Sequence, residues 1–233
     1  MHIPDGFIDG PTSIGGGVAA AGMIGVAVRR TAADLDDREV PLAGLTAAFI
    51  FAMQMLNFPV ANGTSGHLLG GCLAAVLIGP WIGSLAMTVV FVVQALVFAD
   101  GGLTALGLNV VLMGFVPCLA GYGAFLLVRR FAGTARPALA ASSAIGAWVG
   151  VVAASLVFTL YYAVGGTGDA SIGTVAGAMV GVHALVGIGE AVITGLTVSA
   201  VLASRPDLVY GAQRSGLRHH PVAVTVAVDG GVR

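Results

Sequence analysis

The 233-residue chain contains no lysine, and charged residues of every kind make up only 9% of it. Soluble domains carry about 25%. The missing lysine excludes a Gly-x-x-x-x-Gly-Lys-[Ser/Thr] phosphate loop, so ATP hydrolysis by that device must come from another polypeptide. Cysteine is nearly absent as well. Cys72 and Cys118 both lie in apolar runs, which makes them small buried residues rather than a disulfide or a metal pair. No His-Glu-x-x-His pattern occurs, so the helix-borne zinc hydrolase arrangement is missing. The first ten residues hold neither a basic stretch nor an apolar core, and no cleavable signal is expected there. A net charge of −1 says nothing about partners; no nucleic acid is expected among them.

What remains is apolar: 57% of the residues are hydrophobic. Runs of about 20 such residues are what membrane helices require. The expected fold is an all-α polytopic membrane protein with seven transmembrane helices, near residues 12–28, 41–60, 66–79, 81–98, 105–128, 138–163 and 172–203. Residues 1–11 precede the seven-helix domain of 12–203, and 204–233 form a tail. With seven spans, all ten arginines fall on one side of the bilayer. The positive-inside rule makes that side cytoplasmic and the N-terminus external. Gly173, Gly177 and Gly181 repeat at every fourth residue, as do Gly146 and Gly150, and each set is expected to form a close helix-packing face. The tail is expected to be mobile, with His219 and His220 as surface residues.

The polar residues that stand out begin at the N-terminus, Met1-His2-Ile3-Pro4-Asp5-Gly6-Phe7. An unblocked α-amine, the amide nitrogen of His2 and its Nδ1 can close around one metal ion, forming a five- and a six-membered ring. A fourth nitrogen would complete a square, the geometry of Ni(II) or Cu(II) that Co(II) can also take. His67, in the glycine-rich stretch Gly63-Thr64-Ser65-Gly66-His67, is the candidate for that fourth position. Asp5 and Ser65 are candidate groups to orient the amine or an imidazole. Deep in the last span, Glu190 and His183 lie two turns apart on one helix face. They read either as a packed polar pair or as a cation path, because ionisable residues inside membranes are rare and usually functional.

These motifs resemble the CbiM/NikM family of cobalt- or nickel-capturing membrane components of energy-coupling-factor transporters. The resemblance is carried by the start motif and by Gly63 to Gly71, and extends to Gln94-Ala95-Leu96, Asp100-Gly101-Gly102, Leu106 to Asn109 and Gly187 to Ala191. It implies seven helices, an N-terminus tucked into the external face, and metal bound by the Met1 amine, the His2 amide and imidazole, and His67. It further implies a transmembrane coupling subunit, a pair of cytoplasmic ATPases, and in many members a small auxiliary membrane subunit. The setting would be the cytoplasmic membrane of a bacterium or archaeon, and cobalt as cargo would connect to cobalamin biosynthesis. Ala48 and Ala52 are candidates for docking the coupling subunit. No catalytic cofactor is expected; Co²⁺ or Ni²⁺ is cargo, and the sequence does not choose between them. The alternative is an intramembrane metalloenzyme using Glu190 and His183.

Overall fold

The computed structural model describes residues 1–32, 39–55, 58–60 and 64–213. The loop at 33–38, residues 56–57 and 61–63, and the tail from 214 with His219 and His220 lie outside the described residues. The regular structure among the described residues is helical apart from two short antiparallel strands. In order it runs α1 (Gly10–Thr31), α2 (Glu39–Gln54), β1 (Phe58–Val60), β2 (Thr64–Gly66), α3 (Gly71–Ile78), α4 (Pro80–Val97), α5 (Leu106–Asn109), α6 (Val116–Ala132), α7 (Arg136–Gly165), α8 (Ile172–Ser204) and α9 (Tyr210–Gln213). A π-helical stretch, Val110–Phe115, joins α5 to α6 without a break.

Five helical stretches among the described residues are long and apolar enough to cross a membrane: α1, α4, the continuous Leu106–Ala132 rod, α7 and α8. The expected second and third spans are shorter. Helix α2 ends at Gln54, and the chain then turns into the hairpin, in which Phe58 pairs with Gly66. The apolar run at 66–79 is not one helix. Residues 67–70 are not helical, Gly70 adopts φ 76°, and only the eight residues of α3 coil. Eight residues rise about 12 Å, far short of a hydrocarbon layer about 30 Å thick. Every residue of α3 is buried, and it packs against α2, α4, α6, α7, α8 and α9. A helix that is apolar all round belongs in the middle of a bundle, and α3 is the core around which the longer helices stand.

The N-terminal segment is drawn into the same body. Ile8 bridges Gly166, the Asp9 amide donates to the Gly165 carbonyl at 2.7 Å, and the Thr167 amide donates to the Phe7 carbonyl at 3.2 Å. Asp9 then caps α1, its Oδ1 accepting from the Thr12 amide at 2.8 Å, a standard means of satisfying an orphan donor at a helix start.

Close helix approach occurs at some of the expected glycines and not at others. A Cβ on Gly146 would strike the Gly121 carbonyl and the Cys72 sulfur, and one on Gly150 would press on Pro117. By contrast, a Cβ on Gly177 or Gly181 would meet nothing within 4 Å, and on Gly173 only Ser171. The repeat on α8 therefore faces outward instead of packing within this chain. The tightest crossing is one the repeats do not reveal: a Cβ on Gly107 of α5 would collide with the backbone of Gly16 and Gly17 in α1. Gly107→Ala is expected to push α1 aside and destabilise the protein by about 1–3 kcal/mol. Gly177→Ala is expected to be neutral or slightly stabilising, and thermal unfolding of the two purified variants checks the contrast.

Candidate metal centre

His67 is presented by non-helical backbone between β2 and α3, and two polar side chains hold that backbone. The Glu190 carboxylate of α8 accepts from the Leu69 amide at 2.6 Å and from the Gly70 amide at 2.8 Å. The Leu69 carbonyl accepts from Nε2 of Gln54, at the end of α2, at 2.7 Å. Gly70 supplies a left-handed turn that leaves α3 free to start, and a Cβ there would strike Ile50.

The second half of the site is the N-terminal dipeptide. Met1 and Ile3 are fully buried and His2 is 6% exposed. Ile3 is clamped by Asn109 of α5, whose Oδ1 accepts from the Ile3 amide at 2.8 Å and whose Nδ2 donates to the Ile3 carbonyl at 3.1 Å. The Gly102 amide donates to the same carbonyl at 2.9 Å. The two imidazoles then lie against each other, ring centroids 4.7 Å apart, with the edge of Phe91 closing one side of His2.

The hydrogen bonds fix which ring nitrogens carry protons. The Leu69 carbonyl can only accept, so Gln54 turns its amide nitrogen toward it and its oxygen toward Gln94. Gln94 Nε2 donates to that oxygen at 2.8 Å, which leaves the Gln94 oxygen facing His2 Nε2 at 3.1 Å. His2 Nε2 must therefore carry the proton, and its Nδ1 is bare. His67 Nδ1 faces the Leu68 carbonyl at 2.7 Å. That nitrogen also carries the proton, and His67 Nε2 is bare. The two bare nitrogens face each other at 3.1 Å. Oδ1 of Asp100, a further acceptor, sits 3.2 Å from His2 Nδ1. His2 Nδ1 thus has two acceptor atoms within 3.2 Å and no hydrogen between it and either of them, an arrangement that a cation would relieve.

Burial sets the charge of these groups. It lowers the Met1 amine to about 5, against an opposing pull from Asp100. Burial and then the neighbouring amine lower His2 to about 4, with Asp100 and the Gln94 bond opposing. Burial holds His67 well below its usual value too, helped by the amine and His2. At neutral pH all three are uncharged and offer lone pairs. Among the described residues no three His, Cys, Asp or Glu side chains gather in ligating geometry. Two imidazoles alone make a poor site, so an ion here would need the main-chain nitrogens of Met1 and His2 as well.

The other singled-out residues have different surroundings. The Asp5 carboxylate accepts from the Thr104 amide and hydroxyl, away from the amine and the imidazoles, and these bonds lower its pKa. It tethers the N-terminal segment. The Ser65 side chain lies outside the described residues. His183 is buried; its Nδ1 donates to the Met179 carbonyl at 2.8 Å, and Nε2 meets no partner among the described residues. Ala48 and Ala52 are both exposed on α2. Four residues that shape the site, Gln54, Gln94, Asp100 and Asn109, were not singled out for it by sequence reasoning. Gln94, Asp100 and Asn109 lie in motifs that carry the family resemblance, and Gln54 had as its signal only a polar residue within an apolar run. Glu190→Ala would leave two buried amides without an acceptor, at about 1–3 kcal/mol each. A clear drop in melting temperature is expected, partly restored in Glu190→Gln, which keeps one acceptor oxygen; an unchanged Glu190→Ala melting curve would remove this role.

Known proteins share this arrangement of the chain. Residues 2–208 match the CbiM family, described as the cobalt uptake substrate-specific transmembrane region. A putative metal transport protein of Haloquadratum walsbyi is 41% identical over 210 residues, covering 90% of this chain and 94% of its own. A putative fused nickel transport protein NikMN of Archaeoglobus fulgidus is 38% identical over 90% of this chain and 68% of its own. A crystal structure of a transition metal transporter superposes with a TM-score of 0.83 at 31% identity, over 94% of this chain and 100% of that one. The chain belongs to the CbiM family of substrate-specific transmembrane components.

Proposed function

We propose that this protein is the capture component of a transporter importing Co²⁺ or Ni²⁺, and that it binds the cation through four nitrogens: the Met1 amine, the His2 amide, His2 Nδ1 and His67 Nε2. The observation that carries this reading is the facing pair of bare imidazole nitrogens, 3.1 Å apart, beside a buried and neutral N-terminus. Loss of the amide proton on binding gives the in-plane nitrogen set that suits Ni(II), and the family name points to cobalt. The metalloenzyme alternative has less support, because both Glu190 oxygens are engaged by backbone amides.

Energy for release comes from partner ATPases acting through a membrane coupling subunit, for which the exposed Ala48 and Ala52 on α2 offer a small-residue contact. An auxiliary membrane subunit fits the same assembly. The test of the site is metal content of the protein purified with its native start or with one residue added before Met1. The added residue replaces the amine by an amide and is expected to abolish tight, stoichiometric Co²⁺ or Ni²⁺ binding. His67→Ala is expected to keep a weak remnant, held by the dipeptide alone. Equal metal in the extended and native proteins would sink the proposed chelate.

The protein lies in the cytoplasmic membrane, N-terminus outside and C-terminus inside; besides the five long helices, α2 and the buried chain through α3, which does not span the layer by itself, carry the chain between the two faces, making seven passages. Arginine distribution supports this: Arg29 and Arg30 end α1, Arg129 and Arg130 lie in the last turn of α6, Arg136 starts α7 and Arg205 follows α8. Arg30 and Arg129 line one cavity together, so the ends of α1 and α6 are neighbours, as this assignment requires. Reporter fusions after Arg130 and after Ala203 are expected to read cytoplasmic, and one at Thr167 external. An external reading after Ala203 would reverse the assignment.

A further inference from the structure

We propose that Asp100 is the entry ligand of the site: the first protein group that a hydrated divalent cation meets, and the one that passes it to His2 Nδ1. This rests on the four-nitrogen site proposed above. Four observations support it.

The first is position. The Asp100 side chain is 25% exposed, against 5% for that of His2, and its Oδ1 lies 3.2 Å from His2 Nδ1. Met1, His67 and Gln94 are all fully buried. Among the described residues of the site, Asp100 is the group that touches both solvent and a ligating nitrogen.

The second is that an ordinary hydrogen bond does not explain the contact. The Gln54–Gln94 relay puts the His2 proton on Nε2, so a carboxylate oxygen and a bare Nδ1 are held together as two acceptors. Neither gains from the other. Both gain from a cation placed between or beside them.

The third is that the backbone is committed to this placement. Ala99 adopts φ 52°, a left-handed conformation unusual for a residue with a side chain and one that stores strain at functional sites. The Asp100 amide donates to the Gln94 carbonyl at 3.0 Å, so the residue whose side chain fixes His2 also fixes Asp100. Gly101, at φ 96°, lies so close that a Cβ would come within 3.1 Å of both His2 Cδ2 and Asn109 Nδ2.

The fourth is chemical. A carboxylate oxygen is a good first partner for a hydrated divalent cation, whereas the nitrogens within require it to shed water. Each new bond to the protein replaces one metal–water bond, and the metal keeps its oxidation state. The displaced amide proton goes to buffer. A dication bound to one deprotonated amide carries a single net positive charge, and the adjacent carboxylate cancels it.

The test is rapid mixing of the full chain, with Met1 unblocked, against Ni²⁺ or Co²⁺ over a range of ionic strength. Charge steering raises on-rates by about 10- to 1,000-fold and fades with salt. The wild-type on-rate is expected to fall as salt rises. Asp100→Asn is expected to be at least ~10-fold slower at low salt and nearly insensitive to it. Asp100→Glu, which keeps the charge, is expected to retain the salt dependence. An unaltered on-rate in Asp100→Asn, or a change confined to the off-rate, overturns the entry role and leaves the four-nitrogen site standing. A flat wild-type salt profile also overturns it, whatever the folding of the variants. Failure of the wild type to bind either metal overturns the site and this inference together.

Discussion

The grip on Leu69 is the interaction on which the site depends. Its amide is held by Glu190 and its carbonyl by Gln54, each at 2.7 Å or less. Both partners are buried, Glu190 at 0% and Gln54 at 1% exposure. In such surroundings a polar group without a partner costs several kcal/mol, so the direction of every bond in the chain is enforced. One carbonyl that can only accept therefore decides, two glutamines away, where the proton sits on His2. Proton placement on the two facing imidazoles is thus set by residues that are not part of the proposed nitrogen set. Glu190 is a structural member of this grip, and its carboxylate reaches His67 only through the backbone.

Burying a chain terminus ordinarily opposes folding, because an ammonium group loses its water. Here the terminus enters as a neutral amine, and the segment behind it recovers its hydrogen bonds from three places: Asn109 and Gly102 on Ile3, Thr104 on Asp5, and the Gly165–Thr167 turn on Phe7 and Asp9. The π-helical stretch begins at the residue after Asn109. Such stretches are often found at functional sites, and this one lies wholly within the buried part of the bundle.

Much of this was legible in the sequence. The Met1-His2 start and His67 are short-range patterns whose chemistry does not depend on the fold, and the long apolar helices follow from run length. Gln54, Gln94 and Asn109 were harder to assign. Their partners lie 15 to 106 residues away, and no periodicity announces a relay between α2 and α4 or a clamp from α5. The run at 66–79 read as a span because its composition is uniform, yet Gly70 breaks it so that the residues before α3 can carry His67. Glycine spacing on α8 resembles that on α7, but spacing alone does not say which side of a helix meets a neighbour. Only the surrounding helices make Gly146 a contact and leave Gly177 open.

The knitting of the first nine residues to the turn at 165–167 has a consequence for biosynthesis. A chain is made from its N-terminus, and early segments generally fold first. Here residues 1–9 have to wait for segments that follow them. Their last partners, Gly165, Gly166 and Thr167, are made at the end of α7 and just after it, and the backbone grip on Leu69 needs Glu190 of α8. Contacts so distant in sequence close late. Residues 1–9 are thus sealed after the segments that follow them, and until then nothing holds the imidazoles of His2 and His67 together.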